Sequence, residues 1–224
     1  MKNLFPITFF ILLILFIILL YLDIPNRQLY TTMSMIPVLS IWFFSSGTYT
    51  KSIKIWMTLF FTFMFIGFSS SQLILRGENY IAKNTLINII EYLFLIPVII
   101  HLGLNKNKNL GDEIFKFLLV AVLALIYIML FFELFSFFEQ TIIFFRILQL
   151  GLLFGWTWKN PKIHPLVYQS QFIMIISNVL FVITYADLKT INEELFVLPI
   201  FLISKYMLVL GLIKSFQKKK FRIY

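Results

Sequence analysis

Apolar residues run in long unbroken stretches along this chain, not at alternate positions. From Leu4 to Leu22 there is no charged residue at all. A helix crosses roughly 30 Å of hydrocarbon in about 20 residues. The chain holds eight runs of that kind, at residues 4–22, 29–46, 55–75, 80–102, 117–133, 140–158, 165–185 and 195–213. Barrel strands alternate polar and apolar positions, and these runs do not. Backbone groups in lipid must bond within their own segment, so the runs are expected as helices. The first run begins like a signal peptide, but no small-residue cleavage site precedes Asp23-Ile24-Pro25, and it is read as an uncleaved helix. The pattern predicts an all-α polytopic membrane protein, with one transmembrane domain of eight helices over residues 1–224.

Charge places the loops. Eight helices put the N-terminus, residues 47–54, 103–116 and 159–164 and the C-terminal tail on one side. Thirteen of the 19 Lys and Arg lie there, and four lie on the other side. The positive-inside rule then sets both termini in the cytoplasm of a cell membrane. The formal net charge of +9 is therefore juxtamembrane, and the Lys218–Arg222 run suits anionic lipid headgroups, not nucleic acid. Trp42, Trp56, Trp156 and Trp158 read as an aromatic belt at the inner headgroup level.

Composition narrows the chemistry. The chain is 60% hydrophobic and 13% charged. Soluble domains carry about 45–50% and about 25%. That excludes an ordinary soluble enzyme and a disordered chain. With no Cys and only His101 and His164, thiolate sites, a His-rich metal centre and bis-His haem are excluded. There is no phosphate loop, Ser-His-Asp set or HExxH motif, so no cofactor or metal is expected.

Three spans nevertheless carry a charge: Glu91 in the fourth, Arg146 in the sixth and Lys205 in the eighth. Each costs about 2.5–3.5 kcal/mol at a helix centre on insertion scales, so each needs a partner or a wet cavity. Asn88 lies one turn before Glu91 on the same face, and Gln149 follows Arg146 by three positions. Ser69, Ser70, Ser71 and Gln72 in the third span, and Ser177 and Asn178 in the seventh, fall at a similar depth toward the outer leaflet. Two readings are open. One is interhelical glue, with Glu91 paired to Lys205 or Arg146. The other is a polar pocket opening toward the outer leaflet. The Gly151-Leu-Leu-Phe-Gly155 spacing reads as a packing face. The matching depths of Glu91 and Lys205 also allow two parallel four-helix halves.

Several short stretches resemble the lysoplasmalogenase-like (YhhN-type) membrane family. Ile36-Pro37-Val38-Leu39 is similar to its Lys-Pro-Leu-Leu, Phe61 to Leu73 to its Gly-Asp helix, and Ile89 to Phe94 to its Ala-His helix. Ile176 to Phe181 resembles its Ser-Asp helix, and Ile203 to Gly211 its closing helix with Tyr, a small residue and Gln. The polar letters depart from the pattern: Phe68 and Asn178 stand where the family has Asp, Glu91 where it has His, and Lys205 where it has Gln. The resemblance implies hydrolysis of the vinyl-ether bond of a lysophospholipid among the membrane lipids. It implies Glu91 as the acid, with Asn178 and Lys205 as further catalytic groups. Ser70, Gln72, Asn88, Arg146 and Ser177 would bind substrate. The alternative is a non-catalytic bundle for ligand binding, transport or interaction.

Overall fold

A computed structural model describes residues 4–22, 25–73, 80–103, 121, 136–186 and 193–221. Among them are seven helices and no strand: α1 (Leu4–Tyr21), α2 (Pro25–Ser45), α3 (Lys51–Leu73), α4 (Tyr80–Leu102), α5 (Phe137–Thr157), α6 (Pro165–Ala186) and α7 (Glu193–Phe221). The expected helix over 117–133 lies outside the described residues but for Ala121. Helices α3, α4, α5 and α7 are long and apolar enough to cross a membrane; the apolar stretches of the other three, such as Leu4–Leu19, are shorter. By composition this is a helical membrane protein.

Local chemistry sets the helix ends. Helix α2 starts at Pro25, ahead of the apolar run, because proline suits the first helical position. Helix α3 starts at Lys51, where the Thr50 hydroxyl accepts from the Ile53 amide at 3.4 Å. Helix α5 opens on a capping box. Ser136 Oγ accepts from the Glu139 amide at 3.3 Å, and Glu139 Oε2 accepts from the Ser136 amide at 3.0 Å. It closes before Lys159, whose φ of 50° turns the chain out of the helix.

Helix α7 is the hub, packed against α1, α2, α4 and α6. Ser204, Gly211 and Ser215 keep its contact with α6 close. A Cβ on Gly211 would stand 2.8 Å from Val167 Cγ2 and 2.9 Å from the Val167 nitrogen. The core lies around α7, where Phe9, Phe43, Phe60, Leu95, Leu208 and Leu212 are fully buried. Trp42 belongs to this core, stacked on Tyr206 at 5.5 Å, and so is not a belt residue.

The connections expected on one side do meet at one end. Asn160 Nδ2 donates to Gly103 O at 2.9 Å, and the His164 amide donates to Ser215 Oγ at 2.8 Å. Lys218 Nζ donates to Pro161 O, and Lys219 Nζ to His101 O, each at 2.8 Å. Tyr49 lies edge-on to Phe216 at 5.1 Å. Burial there pushes the Tyr49 hydroxyl up to about 12.

Candidate functional site

The centre of the bundle is charged. Glu91 lies midway along α4 and Lys205 midway along α7, and the Lys205 ammonium donates directly to Glu91 Oε1. Exposure is 0% for Lys205 and 2% for Glu91. Lys205 is this deep because it sits on the hub helix, one turn from the buried Leu202 and Leu208. Three rings surround its ammonium: Tyr92 at 4.4 Å, Phe201 at 4.9 Å and Phe60 at 5.9 Å. Their negative faces replace part of the lost hydration, an effect worth about 2 kcal/mol when desolvated.

Arg146 is the third charge, 2% exposed on α5. Its guanidinium stacks on the Tyr92 ring, with the central carbon 4.1 Å from the ring centre. Nη1 donates to Asn88 O at 3.1 Å and to Gln149 Oε1 at 2.9 Å. Gln149 Nε2 in turn donates to Ile89 O at 2.8 Å. The α4–α5 contact is thus a polar clasp from two α5 side chains onto α4 carbonyls. Arg146 Nε and Nη2 find no acceptor among the described residues. Among the described residues, one carboxylate and two cations leave the buried cluster with an excess of one positive charge.

The other expected site residues divide. Asn88 contributes its carbonyl to the cluster, while its amide donates to Asn84 O on its own helix at 2.9 Å. Ser177 is buried and donates across to Val197 O on α7 at 3.4 Å. Asn178 is half-buried and donates to Met174 O one turn earlier at 2.6 Å. These two polar groups serve helix contacts and their own helix. The side chains of Ser70 and Gln72 lie outside the described residues.

The sequence did not single out Tyr92, which belongs to the cluster, or Gln171, a buried polar residue elsewhere on α6. Tyr92 joins both cations on one ring, and its position directly after Glu91 was the available signal. Gln171 on α6 is 1% exposed, and its Oε1 is without a hydrogen-bond partner among the described residues. Nothing in the local pattern distinguishes it from Gln169 two positions earlier.

Compared with known proteins, the chain matches no family model, no curated protein and no solved structure.

Proposed function

We propose that this chain is a multi-pass protein of a cell membrane whose charged core binds a membrane-soluble ligand and does not hydrolyse it. In this reading residues 117–133 supply an eighth span, both termini are cytoplasmic, and the whole chain is one transmembrane domain. The loop contacts at one end of the bundle support that topology. The chain is then a divergent relative of the lysoplasmalogenase-like family, with its partners among the membrane lipids.

The bond from Lys205 to Glu91 carries the binding reading. Vinyl-ether hydrolysis starts with proton transfer to a vinyl carbon, and a general acid must hold that proton within reach of substrate. Lys205 already donates to Glu91 Oε1, and a cation bonded to a carboxyl favours its ionised, proton-free form. A second carboxylate is also wanting at the family positions, where Phe68 and Asn178 stand. The hydrolase reading keeps one observation on its side, since Arg146 beside Glu91 is a cation able to hold a lysolipid phosphate.

Aldehyde release from a lysoplasmalogen decides between the two. Purified full-length protein in detergent is assayed beside its Asn178→Asp variant and an active lysoplasmalogenase. The binding reading expects no release from the wild type. Release above background that is lost in Glu91→Gln would establish the hydrolase.

A further inference from the structure

Among the described residues Arg146 forms no ion pair of its own. Glu91, the carboxylate beside it, is held by Lys205, and the groups that Arg146 does engage are neutral: Asn88 O, Gln149 Oε1 and the Tyr92 ring. Buried charges are ordinarily paired, and a buried donor without an acceptor points to a ligand or ion that completes it. Nε and Nη2, the two donors without an acceptor, are not scattered. They form one edge of the guanidinium plane, with parallel N–H bonds spaced to meet both oxygens of a single oxyanion.

We infer that the Nε–Nη2 edge of Arg146 is the binding site for the carboxylate head of a long-chain amphiphile, a ligand of the fatty-acid class. This rests on the binding reading above and names its ligand. Three considerations select the class. Among the described residues the cluster carries one excess positive charge, which a monocarboxylate cancels and a phosphate monoester, at about −1.5 to −2, overshoots. Both donors are sealed from solvent, so the ligand arrives through hydrocarbon and displaces the packing over that edge. A carboxylic acid makes that passage in its neutral form and releases its proton to water admitted as the packing over that edge is displaced, whereas a phosphodiester remains ionised throughout. The third is position. Phe145, the preceding residue, is 58% exposed on the outer surface of α5, so hydrocarbon lies one position from the site and the acyl tail can stay in it.

The test is equilibrium binding of oleate, oleyl alcohol, acetate and lysophosphatidylcholine to the purified full chain in detergent. Thermal melting of each unliganded variant serves as the folding control. Oleate should bind the wild type at least about tenfold more tightly than oleyl alcohol, the gain expected of one charge-assisted hydrogen bond. Acetate should not bind measurably. Arg146→Met and Arg146→Lys should each lose that selectivity, the second because an ammonium keeps the charge without the two-donor edge. Equal binding of oleate and oleyl alcohol by the wild type overturns the inference whether or not any variant folds. So does lysophosphatidylcholine binding as tightly as oleate, which would assign the edge to phosphate. These outcomes leave the aldehyde assay untouched: hydrolysis would remove the binding reading, while a failure here removes only the ligand class.

Discussion

Removing Glu91 and removing Lys205 should have unequal consequences, because Arg146 lies beside both. Glu91→Gln leaves two buried cations facing one ring, Tyr92. Lys205→Met leaves one carboxylate and one cation, and Arg146 has two free donors with which to meet it. We expect Glu91→Gln to cost about 3–5 kcal/mol, the usual range for breaking a buried pair from one side. Lys205→Met should cost clearly less, and the double variant, which restores the original net charge, should recover part of the Glu91→Gln loss. Unfolding of the purified protein in mixed detergent measures all three, and a Lys205→Met loss equal to that of Glu91→Gln would contradict the charge count. The pairing was legible in the sequence, since an unpartnered charge at a helix centre is too costly to leave alone. The cage was not. With 28 Phe and 10 Tyr in the chain, no single aromatic stands out from lipid-facing filler. Asn178 misled for a different reason, because a short amide within a helix can always bond the carbonyl four residues back.

The α6–α7 contact depends on one close approach, and the start of α6 on one cap. Gly211→Ala would drive a methyl group against Val167, including its backbone nitrogen at 2.9 Å, which cannot move without its helix. A loss of about 1–3 kcal/mol is expected from such overpacking, seen as a lower melting temperature. Gly47→Ala, whose methyl would meet only the end of the Tyr49 ring at 3.3 Å, should cost less. At the same end of α6, His164 Nδ1 accepts from the Leu166 amide at 3.3 Å, a role open only to an unprotonated nitrogen. Burial, then Lys214 and Lys218, hold its pKa below the ordinary 6.5. As pH falls through about 6.5 the unfolded chain takes up the proton first. The His164 contribution is therefore complete above that value and is lost below it. Melting temperature should fall as pH drops below about 6.5, and His164→Asn, which keeps a capping acceptor, should flatten that dependence. Helix positions were readable from hydropathy to within a few residues, but α7 continues to Phe221, beyond the expected end at Ile213. Hydropathy marks where lipid stops, and a Lys-rich stretch continues a helix well past that point.

For the molecule as a whole, the thirteen-to-four division of Lys and Arg predicts that a reporter active only in the cytoplasm works at both termini and at 106–108 and fails at 187–194. A reversed signal at either terminus would break the eight-span reading. The loop grouping was legible because charge bias and hydropathy are properties of whole segments. The chemistry of the core was not, because it turns on which oxygen faces which nitrogen. Glu91 alone fits an acid, a ligand group or a lock, and only its contact with Lys205 separates them. In the binding reading Glu91 is a carboxylate locked to Lys205 and is not a proton donor waiting for substrate. Infrared difference spectroscopy of the purified protein at neutral pH, wild type against Glu91→Gln, reads that state directly. The wild type should show a carboxylate band assignable to Glu91 and no protonated-acid carbonyl stretch. A protonated-acid band present in the wild type and missing from Glu91→Gln would contradict it.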